Sequence, residues 1–356
     1  VTNSGSITAA DDAFAVVANN SDISGGVTNS GSITAVDDAF FVSASTISGG
    51  IVNTGTITAP QGTVGLAAGN TVTLDLGGPV KIQVTEGALN TAIEQGGGIV
   101  ADGGQIYLTA KAAGNLAASV INHTGITRAR TLAGNQKGQI ILIADMEVGS
   151  TTVAGTLDAS APNGGDGGFI ETSAANVKIQ DGVNITTQSA QGKNGQWLID
   201  PHDFTIAASG GDITGAALGT ALQSNSVTIQ TLASSVSCTG AICGMGKADG
   251  NGDIFVNDAI NAGTSNNTLT LQAHRDINVN KAVTVGGLNL TAVRNVNVND
   301  VVTVNNSLAV NYGANSDFTP NTSVRPTDNG ALNMKLTPDG FVGKINLGSS
   351  ATVNLN

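Results

Sequence analysis

One short phrase returns at a near-constant interval, and nothing else in the chain restricts the fold as strongly. Asn3-Ser-Gly-Ser-Ile-Thr-Ala recurs from Asn29 as the same seven residues, and from Asn53 as Asn-Thr-Gly-Thr-Ile-Thr-Ala, first 26 and then 24 residues further on. Asp11-Asp-Ala-Phe recurs at Asp37 in the same way. Self-similarity with a period in the twenties marks a stacked repeat, in which each unit buries its apolar face only against its neighbours. Inside a unit the pattern is strand-like. Ile7 lies between Ser6 and Thr8, so the aliphatic side chain points in while the hydroxyls point out. Gly and Asn interrupt each run after five or six residues, which leaves short strands joined by turns. One unit then closes as a coil of about three strands, and coils stack at ~4.8 Å, the spacing of neighbouring strands. The period predicts an all-β chain built as a parallel β-helix (β-solenoid) with short helical and loop insertions. Ile7, Ile33 and Ile57 would form an inner ladder, and Asn3, Asn29 and Asn53 a corner ladder.

Composition agrees. Aromatics are 3% and charged residues 11% of the 356 residues, with 48 Gly. A spherical core of this size would recruit more aromatic bulk, whereas a thin stack can be filled by Val, Ile, Leu and Ala. Disorder is excluded by the regular spacing of β-branched residues and the low charge density. The net charge of -12 repels phosphate backbones, so no nucleic-acid partner is expected. No apolar run reaches the ~18 residues of a membrane helix. No signal peptide opens the chain at Val1, so either one is cleaved or the chain is a piece of something longer; the strand pattern runs to Asn356 with no polar cap, and the natural chain is expected to continue there.

The stretch from Pro162 to Ile206 breaks the monotony. It contains the only Trp, Trp197, followed by Asp200, Pro201 and Phe204. Pro201 lacks an N–H and needs a corner, and Trp197 with Phe204 would fill a wider coil. These four residues are read as a structural motif. The organisation expected is N-terminal coils over 1–195, a β-helix of altered cross-section over 196–312, and a loop excursion with terminal strands over 313–356. Two segments, 86–95 and 215–222, show helical i, i+3, i+4 spacing. Cys238 and Cys243 enclose four residues. Such an isolated pair fits a disulfide in an exported protein, with free thiols the alternative; a metal site would need two further ligands.

At Trp197 the chain also resembles a known family. GGFIETSA followed by GQWLIDPHDFTI is similar to the filamentous haemagglutinin-like exoproteins of two-partner secretion systems. NTGTITAPQGTVGLAAGNTVTLDL (53–76), GGIVADGGQIYLTAKAA with VINHTGITRA (97–129), TLDASAPNGGDGG (156–168) and GNGDIFVNDAI with LTLQAHRDINVN (250–280) resemble it too, in family order. The resemblance covers residues from about 50 onward. It implies a right-handed β-helix, export through an outer-membrane β-barrel secretion partner, and an adhesin at the surface of a Gram-negative bacterium, secreted or extracellular. The secretion domain usual at the N-terminus of the family is not visible, and residues 1–50 look more like autotransporter passengers.

Candidate chemistry is sparse. Asp11, Asp12, Asp37 and Asp38 would stack as carboxylates, which can bind Ca²⁺ or do acid–base work. Like charges ~5 Å apart repel, and Asp favours turns, so a solvated corner is the expectation. No cofactor is expected, with calcium the residual alternative. An enzyme of this architecture would want a cation beside its acids, and the first basic residue is Lys81. His123, His202 and His274 are far apart in sequence and are read as corner or surface residues. The expected function is therefore a non-enzymatic stalk or adhesin binding host or bacterial surface glycans or proteins. End-to-end self-association into a filament is the alternative, and a polysaccharide-degrading enzyme a third.

Overall fold

Short alternating runs leave each strand with unpaired backbone on both edges, and the chain satisfies these groups by laying every strand beside its equivalent one repeat away. The computed structural model describes residues 2–17, 26–44, 50–74, 82–87, 91–111, 113, 119–132, 136–231, 250–312, 332–334, 336–337, 340–341, 344–347 and 352–355. The described elements are strands, apart from one helix. They form an all-β, parallel, solenoid-like arrangement in two compact units, Val1–Trp197 and Leu198–Asn356.

In the first unit the chain visits three parallel sheets in turn. The first sheet holds Thr2–Asn3, Val27–Asn29, Ile51–Asn53, Thr91–Gln95, Ser119–His123, Ser150–Val153 and Asn176–Ile179. The second holds Ser6–Ala9, Ser32–Ala35, Thr56–Thr58, Gly98–Val100, Ile126–Arg128, Thr156–Asp158 and Asn184–Thr186. The third includes Ala13–Val17, Ala39–Ala44, Thr63–Gly69, Gln105–Ala110, Gln139–Ile143 and Phe169–Ser173.

Register puts like on like. Ile7, Ile33, Ile57, Ile99, Thr127, Leu157 and Ile185 form one column. All are buried except Ile7, which is 44% exposed because no described strand lies on its outer side. In the third sheet Val64, Ile106, Ile140 and Ile170 align, as do Leu66, Leu108, Leu142 and Thr172. Each fully buried aliphatic side chain contributes about 1.5–3 kcal/mol, so the stack needs no aromatic centre. The Asn ladder forms as well: Asn3 Nδ2 donates to Asn29 Oδ1 at 2.8 Å, Asn29 Nδ2 to Asn53 Oδ1 at 2.8 Å, and Asn53 Nδ2 to Gln95 Oε1 at 2.7 Å. His123 takes the next position. Its Nδ1 and Nε2 lie 2.9 Å from the Ala154 carbonyl and the Thr127 hydroxyl.

Two insertion readings meet different outcomes. Residues 91–95 of the expected helical segment 86–95 are a strand, paired with Ile51–Asn53 on one side and Ser119–His123 on the other. Two sets of ladder bonds outweigh the helical spacing of Ala92 and Ile93, and Ala92 faces outward while Ile93 is buried. Just before it, the antiparallel hairpin Thr71–Leu74/Ile82–Glu86 packs Val72 and Val84 on Ala67, Tyr107 and Ile141, a small core outside the main one. The segment 215–222, in contrast, is helical. α1 (Gly215–Ala221) is capped by Thr214, whose Oγ1 accepts from Ala217 N at 3.2 Å. It buries Leu218 and packs on Ile260–Asn261.

In the second unit Phe204–Ile206, Ile254–Val256, Ile277–Val279, Val296–Val298 and Leu332–Met334 form one parallel sheet. Ser226–Gln230, Thr268–Ala273, Val283–Ala292 and Val301–Tyr312 run together in another. Val301–Tyr312 pairs with both Lys344–Leu347 and Thr352–Leu355. Arg–Asp clamps fasten the rungs: Arg275 bonds both oxygens of nearly buried Asp253, and Arg294 does the same for Asp276. Each Asp also accepts a backbone amide from the next rung, Asp253 from Asp276 and Asp276 from Asn295, both at 3.0 Å. Much of the loop excursion expected from 313 onward lies outside the described residues, although Leu332–Met334, Leu336–Thr337 and Gly340–Phe341 within it are strands. Cys238 and Cys243 also lie outside them.

Candidate functional site

Where the second sheet of the first unit turns into the third, four successive rungs bring polar side chains together over bare backbone. The floor is made by Gly62 and Gly104. A Cβ on Gly62 would lie 1.9 Å from the Asp37 carbonyl oxygen, and one on Gly104 would lie 1.9 Å from that of Gly62. Only glycine allows the rungs to meet there, and a groove of about 340 Å³ lies beside them. Gln61, Gln105 and Gln136 line it, with Asp37 and Asp38 among the acidic residues and Lys137 the base.

Several of these groups are held in place. Asp38 is turned inward, and its Oδ1 accepts from Thr63 N at 2.6 Å; Asp12 Oδ1 accepts in turn from Asp38 N at 3.1 Å. Tyr107 donates to Gln105 Oε1 at 2.8 Å, which orients that carboxamide. Lys137 Nζ lies 3.2 Å from Asp166 Oδ2, and Asp166 also accepts from the Lys193 amide at 3.0 Å. The Lys193 amide and the Lys137 ammonium hold the Asp166 carboxyl below the usual range. Gln61 has φ 62° and is the only non-glycine with positive φ among the described residues. Its equivalent one rung on is Gly103, with φ 79°.

The residues singled out in the sequence fall elsewhere or play other parts. Asp11, Asp12 and Asp37 do come together, with one carboxylate oxygen of each within 4.8 Å of the others; Asp37 is shared with the groove. Trp197 is fully buried and donates Nε1–H to Thr172 Oγ1 at 3.1 Å. In the second unit Pro201 and Phe204 are buried and Asp200 is half-buried. Their placement is in the core or at a corner, away from open surface. Buried His123 has its pKa lowered, chiefly by desolvation. The glutamines went unnoticed, yet aligning APQGTV (59–64) with ADGGQI (101–106) shows Gln61 standing where the repeat has glycine. The Arg–Asp clamps were also missed, though Arg275-Asp and Arg294-Asn sit at matching places before Ile277 and Val296.

Fold and groove together define a parallel β-solenoid-like protein with a polar groove at one corner. Comparison with known protein families, with curated proteins and with solved structures finds no match to the chain.

Proposed function

We propose that this chain is a right-handed parallel β-helix exported to the surface of a Gram-negative bacterium, where it acts as a stalk and adhesin. The supporting observation is the in-register parallel laddering of the first unit, seven strands deep in two of its sheets. Such ladders pair the backbone internally and leave long side faces for contact. Export through an outer-membrane β-barrel partner belongs to the same reading and rests on the sequence resemblance. Host or bacterial surface glycans or proteins are the proposed targets. The reading assigns neither catalysis nor a cofactor. It is tested by co-expressing the chain, joined to a two-partner secretion signal domain, with the cognate barrel, then measuring surface exposure and adherence to cultured cells. Exposed protein that adheres to no cell type would refute it.

End-to-end stacking into filaments is the second reading. Its support is the in-register parallel laddering, which an equivalent strand of a second copy could extend. Negative-stain microscopy of purified protein decides it, since single particles at high concentration would exclude polymerisation.

A further inference from the structure

The corner groove carries more chemistry than a stalk requires. We propose that it binds an uncharged oligosaccharide segment, with Gln61 as a primary contact; this rests on the surface-adhesin reading above. The first support is the backbone at Gln61. A side chain in the left-handed region is strained where glycine would not be, and the next rung has glycine at that place. A Cβ at Gly103 would also come within 2.6 Å of Leu132 Cδ1, so that side chain would have to shift to admit one. Gln61 is thus a costly choice at the rim of a groove.

The second support is the lining. Carboxamides both donate and accept, as sugar hydroxyls do, and three of them face one groove. Gln105 is already oriented by Tyr107, so part of the ordering cost of binding is met in advance. The third support is charge. Asp37 and Asp38 lie in the groove, whereas Lys137, the one cation among its described lining residues, is already paired with Asp166. Uronate and sulfate groups are therefore repelled. The volume of about 340 Å³ lies at the small end of ligand sites, which fits a short segment of a glycan.

The test is calorimetric titration of the full chain with tetrasaccharides of glucose, galactose, mannose and N-acetylglucosamine, and with a heparin hexasaccharide as the acidic arm. At least one neutral tetrasaccharide should bind, and heparin should not. Gln61→Gly should weaken that binding about tenfold, the equivalent of a lost hydrogen bond, while leaving the melting temperature unchanged or higher. A structural role for Gln61 would instead lower the melting temperature. Gln136→Ala, at an exposed position, should show the same loss without destabilisation. No neutral binding, binding undisturbed by both variants, or preference for heparin would overturn the proposal. Cell adherence measured in parallel separates the two readings. Adherence by wild type and both variants alike removes the groove and keeps the adhesin, whereas neutral tetrasaccharide binding without adherence does the reverse.

Discussion

Gly55→Ala is the sharpest test of how the rungs are held together. Gly31, Gly55, Gly97 and Gly125 stack at the corner after the Asn ladder, and each nearly touches the carbonyl beneath. A Cβ on Gly55 would lie 2.0 Å from the Gly31 oxygen, and one on Gly97 would lie 2.1 Å from the Gly55 oxygen. Ordinary contact begins near 3.4 Å, so a methyl at Gly55 must part the rungs by more than an ångström. Three backbone bonds cross this corner: Thr54 N to Asn29 O at 2.8 Å, Gly55 N to Asn29 O at 3.0 Å and Thr56 N to Gly31 O at 2.9 Å. Losing all three at about 1 kcal/mol each gives about 3 kcal/mol. Gly5 occupies the same repeat position but has nothing within 4 Å of a built Cβ, so Gly5→Ala should stay within about 0.5 kcal/mol. Stacked repeats need not unfold in one step. The assay is therefore hydrogen–deuterium exchange of the peptide spanning 50–58, supported by a circular-dichroism melt. Gly55→Ala should speed exchange there about a hundredfold, and Gly5→Ala should leave it unchanged. Equal exchange in both variants would show that the rungs yield easily and that glycine is not required by contact between them.

The remaining predictions address the core and the clamps. Buried His123 has a lowered pKa, so its contribution to stability is full above the unfolded value of about 6.5 and declines as pH falls towards the folded one. His123→Gln, which copies Gln95 one rung away, should reduce the loss of urea midpoint between about pH 7.5 and about pH 5.5, roughly one unit either side of the ordinary histidine value; an unchanged difference would exonerate His123. Trp197 is the only Trp and fully buried, so native emission should be blue-shifted. Trp197→Phe should cost about 1–3 kcal/mol from the lost Thr172 bond and lost volume, and a neutral result would mean that the site repacks. Arg275→Ala leaves nearly buried Asp253 without its cation and should cost about 1–2 kcal/mol, less than a fully buried pair because Arg275 is partly exposed. A urea melt checks it, and a loss below about 0.5 kcal/mol would show that solvent replaces the cation.

What could be read in advance followed from repetition. The Ile column and the Asn ladder were legible because the same letter returns where register demands it, and residues paired at ~4.8 Å share one environment. Polarity helped less along TVGLAAG, where all seven residues are buried, and along QIILI, where Ile141 and Ile143 are less buried than Ile140 and Leu142. Residues 91–95 were misread because Ala and Ile at helical spacing carry no information about neighbouring strands. Only the paired ladders on both sides decide that segment. Trp197 stood out by rarity, yet rarity alone does not separate a core residue from a contact. The groove was hidden for the opposite reason. Gln61, Gln105 and Gln136 are commonplace residues separated by 44 and 31 positions, and only stacking unites them.

The spacing of the rungs shows where the stack tolerates change. Along the Asn ladder the steps are 26, 24 and 42 residues, yet the side-chain bonds stay between 2.7 and 2.8 Å. The longest step absorbs the hairpin Thr71–Leu74/Ile82–Glu86 without shifting the strands that follow it. In the second unit Asn257, Asn280 and Asn299 hold a similar ladder at 2.8 Å through steps of 23 and 19. The sheets therefore tolerate changes in what lies between them and resist changes within them. A side chain altered inside a sheet meets its copies above and below, so its cost propagates to both neighbours. A residue altered at a corner meets mainly solvent, and a new side chain there can acquire a ligand without disturbing the stack. Gln61 is strained in its own backbone, but the bond from its N–H to Asp102 O keeps the rung at 2.9 Å, so the departure stays local. A regular interior is in this way kept apart from variable turns, and a substitution at a turn leaves the ladders on either side in register.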